Sequence, residues 1–120
     1  MSVVLLIDNE PEMGSLVSMS LADAGARVVQ VDDLAAALEV AREERPRVVL
    51  LDLALGTEDG LHMLPRLRAE PSLSDVPIIA FTIHESRKRE ALEKGADGFV
   101  AKPFKATSLH DVLEEYIGRT

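Results

Sequence analysis

The 120-residue sequence has no cysteine, which excludes disulfides, thiolate metal sites and a thiol nucleophile and leaves its stability to packing. It shows neither a basic leader nor an A-x-A-like cleavage site, so no signal peptide is expected. Apolar runs such as Val48 to Leu51 are strand-sized and far shorter than the ~20 residues a membrane-spanning helix needs. Positive charge is scarce. Thirteen Lys and Arg against 21 Asp and Glu leave a net charge of −8, so every contact with a phosphate backbone would work against the chain's own field. Direct nucleic-acid binding is therefore not expected, while cations and basic partners are favoured. The three histidines, His62, His84 and His110, are scattered without metal-ligand spacing and belong at the surface. What is present, 47% hydrophobic and 28% charged residues over the length of one ordinary domain, predicts a cytoplasmic globular protein with one domain over residues 1–120.

Hydrophobic periodicity divides the chain into ten alternating pieces. Val3 to Ile7, Val28 to Val31, Val48 to Leu51, Ile78 to Phe81 and Gly98 to Ala101 are mostly continuous apolar and β-branched runs, as suits parallel strands buried on both faces. Met13, Leu16, Val17, Ser20, Leu21 and Ala24 follow helical spacing until Gly25, and Leu109, Val112, Leu113, Tyr116 and Ile117 repeat it near the C-terminus. Leu34 to Ala41 is an alanine-rich helix. His84 to Lys94 is mostly charged, with little besides Ala91 and Leu92 to bury, and is expected to be the least firmly packed helix. Pro65 interrupts the pattern Leu61, Leu64, Leu67, so the third helix is expected to start late, near Pro65, or to be kinked there. Five βα units with short loops predict a doubly wound α/β sheet with helices on both faces.

In such a sheet, polar ligands bind outside the carboxyl ends of the strands, where the strand order reverses. Asp8 ends the first strand and Asp52 the third. In the flavodoxin-like order 2-1-3-4-5 these strands are neighbours and their terminal carboxylates face each other. Thr82 ends the fourth strand and Lys102 follows the fifth, adding a hydroxyl and an ammonium to the same spot. Two close carboxylates repel unless a cation lies between them. Oxygen donors without cysteine or a histidine pair point to a hard ion, most simply Mg²⁺.

Along nearly its whole length the chain resembles the phosphoacceptor receiver domains of two-component response regulators. The resemblance lies in "VVLLIDNEP", "VVLLDLALGTEDGL", "PIIAFT" and "ALEKGADGFVAKPF", four pieces in order at family spacing. It implies that Asp52 accepts a phosphoryl group from a sensor histidine kinase or phosphotransfer protein. It further implies that Asp8 and the main-chain carbonyl of Ala54 join Asp52 around Mg²⁺, that Thr82 bonds a phosphoryl oxygen, and that Lys102 pairs with the phosphate. Phe99 stands at the family's switch-aromatic position, and the bond before Pro103 is expected to be cis. The output surface would be the face of the fourth helix, fifth strand and fifth helix, here with Arg87, Lys88, Lys94, Phe99 and Lys105, contacting an output domain or partner protein. Such a module is a signalling receiver rather than an enzyme.

The chain departs from the family pattern at a few positions. Asn9 stands where the family usually has a second acid; its amide oxygen can ligate Mg²⁺ only weakly, and Glu10 is expected to point its side chain elsewhere. Gly56 replaces a proline and Ile83 a small residue, with bulk at Ile83 expected to narrow access to Asp52. Ala54 and His84 occupy positions where the family tunes phosphate loss. One alternative is a pseudo-receiver, an interaction module with weak or no phosphorylation. An aspartyl-phosphate phosphatase is a second, but Leu53 and Ala54 offer no second carboxylate two residues after Asp52. A flavin or nucleotide binder would want a glycine-rich first loop, which "DNEPEMG" is not. The segment Arg87, Lys88, Arg89 reads as a solvated helix face.

Overall fold

A computed structural model describes residues 2–21, 25–55, 59–102 and 106–117. Five strands, β1 (Ser2–Ile7), β2 (Ala26–Val31), β3 (Val48–Asp52), β4 (Ile78–Thr82) and β5 (Gly98–Ala101), form one parallel sheet in the order β2-β1-β3-β4-β5. Between them run α1 (Pro11–Ser20), α2 (Leu34–Glu44), α3 (Gly60–Ala69), α4 (Lys88–Glu93) and α5 (Ala106–Ile117). The fold is flavodoxin-like, as its alternating apolar runs predict.

The strands are apolar in consecutive positions because the sheet is covered on both sides. Leu5, Ile7, Val49, Leu51, Ile78 and Ala80 pack with Leu34, Ala37, Ala41, Leu61, Leu64, Leu67 and Ala91, placing α2, α3 and α4 on one face. Their alternates Val4, Leu6, Val48, Leu50, Ile79 and Phe81 pack with Val17, Leu21, Leu109 and Leu113 from the α1 and α5 side. Side chains that alternate along a strand thus feed two separate cores.

The third helix differs from the expected late start. It begins at Gly60 and runs through Pro65. The Asp59 carboxylate accepts the Leu61 amide at 3.0 Å, and Leu61, Met63, Leu64 and Leu67 are all buried. The capping bond and four buried apolar side chains offset the one backbone bond that proline removes. The fourth helix is weakly anchored, as its composition suggests: a short 3-10 turn (Glu85–Arg87) precedes it, and Ala91 is the only buried residue of α4.

Arg68 on α3 fastens the amino ends of β4 and β5. Its guanidinium donates to the carbonyls of Leu73, Val76 and Gly95 and pairs with Asp97 at 2.6 Å, and Asp97 in turn accepts the Ile78 amide at 2.8 Å. This brace lies at the opposite end of the strands from Asp52, leaving the carboxyl ends free to carry chemistry. Among the described residues, no helix is long and apolar enough to cross a membrane.

Candidate functional site at the carboxyl ends of the strands

Asp8 follows β1 directly, Asp52 is the last residue of β3 and Thr82 the last of β4. Because β1 and β3 are paired with Ile7 opposite Leu51, the two aspartates leave the sheet side by side. All three residues are buried, with Asp8 only 1% exposed, Asp52 2% and Thr82 1%. Lys102, one residue beyond β5, reaches back across the sheet end. Its Nζ lies 3.4 Å from Asp52 Oδ2, 3.8 Å from Asp8 Oδ2 and 4.9 Å from the Phe81 ring centroid. The structure therefore gathers Asp8, Asp52 and Lys102 into one cluster, as their positions at strand ends predict.

Each carboxylate has one oxygen fixed and one presented. Asp8 Oδ1 accepts the Glu10 amide at 2.8 Å, and Asp52 Oδ1 accepts the Ala54 amide at 2.9 Å. The second oxygen of each faces Lys102. Asp8 Oδ2 is buried and has no hydrogen-bond partner among the described residues. A buried carboxylate oxygen left this way costs free energy unless a cation satisfies it. The donor set of hard carboxylate oxygens suits Mg²⁺, and one oxygen each of Asp8, Glu10 and Asp52 lies within 4.8 Å of the others.

Burial pushes the Asp8 carboxyl up from 3.8 to about 6; the Glu10 amide and Lys102 pull it down, while the charges of Asp52 and Glu10 push it further up. In the unfolded chain this carboxyl regains its ordinary value, so between about pH 4 and 6 it binds more of its proton in the folded state than in the unfolded one. The Asp8 contribution to stability is then present at low pH and lost as pH rises through about 6, to an extent on the order of 3 kcal/mol at most. Asp59 and Glu70 act in the opposite sense. Burial raises Asp59, but the Leu61 amide and Arg87 outweigh it and leave it lowered; Glu70 is lowered chiefly by the Ser72 amide. Comparison with Asp8→Asn isolates the one group: in metal-free buffer the variant should gain thermal stability relative to the parent as pH is raised from about 4 to 7. A difference in melting temperature that stays constant across that range would refute the assignment.

Other expected residues divide more unevenly. Thr82 Oγ1 accepts the His84 amide at 3.2 Å, so its own proton remains free to donate. Phe99, opposite Ala80 in the sheet, is half-buried against the α2 and α3 core. The side chain of Ile83 is 65% exposed. Asn9 Nδ2 donates to the Leu55 carbonyl at 3.1 Å, lacing the loop after β1 to the loop after β3. Pro103, Lys105 and Gly56 lie outside the described residues, as does Ala24.

Two expectations are corrected. Glu10 does not point away: its carboxylate joins the Asp8 and Asp52 oxygens. Strand-like alternation does not apply to adjacent residues where the chain bends into Pro11 at the start of α1, so spacing alone could not place this side chain. Arg87 is not part of a solvated face. It pairs with Asp59 at 2.7 Å and approaches the Leu53 carbonyl at 3.4 Å, joining the segment after β4 to the loop after β3. Lys94 pairs with Glu90 at 3.9 Å and Arg89 with Glu93 at 3.3 Å, so acids one turn away offset these two positive charges of the fourth helix.

Sequence reasoning also missed Gln30 on β2, whose Nε2 donates at 2.9 Å to the carbonyls of both Asp8 and Glu10. Gly14 makes room for it, since a Cβ there would collide with Gln30 Oε1. No local pattern marks a polar residue within a strand as a support for another loop. His62 and His84 are exposed, as expected. His110 lies near Asp111 and Glu114 at 3.7 and 3.8 Å, a surface grouping on α5.

Residues 4–114 match the family model described as response regulator receiver domain. The chain is 34% identical over 120 residues to the probable transcriptional regulatory protein TcrX of Mycobacterium tuberculosis, covering 98% of this chain and 50% of the relative. It spans about half the length of such transcriptional regulators. Chemotaxis response regulator CheY4 of Vibrio cholerae superposes with a TM-score of 0.86 at 28% identity, covering 97% of this chain and 98% of that one. The receiver domain of sensor histidine kinase PA1611 from Pseudomonas aeruginosa superposes with a TM-score of 0.82 at 30% identity, covering 98% of each, and its structure has a magnesium ion coordinated in the active site cleft.

Proposed function

The chain belongs to the response regulator receiver domain family of two-component systems, and on that premise we propose that Asp52 is its phosphoacceptor, working with Mg²⁺. The observation that supports this best is the pairing of the buried Asp8 and Asp52 carboxylates at adjacent strand ends beneath the Lys102 ammonium.

Phosphoryl transfer asks the protein mainly for positioning and for neutralisation of charge. With Oδ1 held by the Ala54 amide, Asp52 presents Oδ2 as the nucleophile. That oxygen forms the new P–O bond as the P–N bond of a phosphohistidine donor breaks, and the donor nitrogen keeps the electron pair. Lys102 Nζ, already 3.4 Å from Oδ2, pairs with the added negative charge. The Thr82 hydroxyl donates to a phosphoryl oxygen. Mg²⁺, when bound, lowers the repulsion between incoming phosphoryl and carboxylates; Asp8, Asp52 and the main-chain carbonyl of Ala54 would hold it, with the Asn9 amide a weak neutral donor.

A switch follows from the same placement. Thr82 and Lys102 both stand to be drawn toward a phosphorylated Asp52, and the segment between β4 and β5 has little buried surface resisting movement. Its tie to the rest of the site is Arg87, paired with Asp59 at the start of α3. Movement of Thr82 would strain that pair and open space for Phe99, altering the face formed by α4, β5 and α5 for an output domain or partner protein. The donor would be a sensor histidine kinase or phosphotransfer protein, in the cytoplasm.

Incubation with acetyl phosphate and Mg²⁺ should add one phosphoryl group by intact mass. Beryllofluoride, as a phosphoryl mimic, should change hydrogen exchange across residues 82–102 while leaving α1 little affected. Phosphoryl uptake without any change in that segment would refute the switch. No uptake at all would favour a pseudo-receiver that only presents a binding surface.

A further inference from the structure

We infer that Glu10 supplies the cation site with the carboxylate that Asn9 lacks, so that the site holds Mg²⁺ through Asp8, Asp52 and Glu10; this rests on the receiver reading above. Glu10 is the residue before Pro11 at the start of α1, and its carboxylate makes no cap bond to that helix. Nor does it make a hydrogen bond or ion pair with any other described residue. Instead it lies with the Asp8 and Asp52 carboxylates, one oxygen of each within 4.8 Å of the others.

An independent observation points to a ligand at this place. Asp8 Oδ2, in a residue only 1% exposed, has no hydrogen-bond partner among the described residues, and Lys102 Nζ stands off at 3.8 Å. Octahedral Mg²⁺ has ligands about 2.1 Å away, which puts pairs of ligand oxygens about 3 to 4 Å apart. An exposed glutamate side chain can close the remaining distance by rotation about its own bonds. Its backbone is meanwhile fixed: the Glu10 amide donates to Asp8 Oδ1 and the Glu10 carbonyl accepts from Gln30 Nε2. Asn9 brings no charge, and its amide nitrogen is committed to the Leu55 carbonyl across the loop. The asparagine thus ties the two loops together while the neighbouring glutamate provides the charge.

Calorimetric titration with Mg²⁺ of the unphosphorylated protein tests the division of roles, comparing the parent, Glu10→Gln, Asn9→Asp and the double variant. Glu10→Gln should weaken Mg²⁺ binding about tenfold. In the Asn9→Asp background, where a second acid is restored, the same substitution should cost clearly less, and Asn9→Asp alone should bind Mg²⁺ more tightly than the parent. Loss below about twofold for Glu10→Gln, or an equal loss in both backgrounds, overturns the inference. Asp52→Asn separates this failure from that of the receiver reading. If Asp52→Asn abolishes Mg²⁺ binding while Glu10→Gln does not, only the role of Glu10 falls; if Asp52→Asn leaves binding intact, the cation is not at this site and both readings fall.

Discussion

Substituting Asp52→Asn should abolish phosphoryl uptake from acetyl phosphate while leaving the fold intact. Asparagine keeps the shape of the side chain and an oxygen to accept the Ala54 amide, now at 2.9 Å from Asp52 Oδ1, so the end of β3 should hold. What disappears is Oδ2, the oxygen facing Lys102 at 3.4 Å and the only atom of the residue free to attack phosphorus. Lys102 would keep Asp8 as its partner, 3.8 Å away, so the variant should not leave an uncompensated buried cation. Intact mass after incubation with acetyl phosphate and Mg²⁺ reads the loss directly, and a melting curve checks the fold. A variant modified as fully as the parent would place the acceptor elsewhere, with Asp8 the first alternative to examine.

Gly60→Ala should be strongly destabilising, against the ordinary preference of helices for alanine. An alanine Cβ at this position would lie 2.6 Å from Leu53 Cα and 2.7 Å from the Asp52 carbonyl oxygen. Both are backbone atoms of β3 and its exit, and neither can rotate away as a side chain would. The two segments are also stitched together by the Gly60 amide, which donates to the Leu53 carbonyl at 3.0 Å. Accommodating the methyl group means moving either the start of α3, with its buried Leu61, Met63 and Leu64, or the residues that carry Asp52. The expected loss is about 3 kcal/mol or more, a fall in melting temperature of roughly 10 °C. Helix propensity alone would give the opposite sign, a gain of up to about 1 kcal/mol. A variant that melts at or above the parent temperature would show that the close approach of α3 to β3 is not as described. Because the displaced atoms belong to Asp52 and its neighbour, phosphoryl uptake should also slow.

The sheet, and the end of it at which the polar residues gather, are legible in the amino-acid sequence alone. Five short apolar runs separated by helical spacing admit few arrangements other than a parallel sheet covered on both faces, and an aspartate or threonine at the end of an apolar strand must emerge at its carboxyl edge. Asp8, Asp52, Thr82 and Lys102 were legible for that reason: each is placed by the strand it terminates or follows, and strands in register need no further information. Residues fixed by contacts between loops were not legible. Glu10 turns toward Asp52 because the Asp8 carboxylate and Gln30 hold its backbone, Arg87 leaves the solvated face because Asp59 lies within reach, and α3 runs through Pro65 because its buried face and the Asp59 cap offset the missing bond. Local periodicity reports what one segment prefers, whereas these placements depend on free energies shared between segments far apart in the chain, which exist only once the sheet has brought them together.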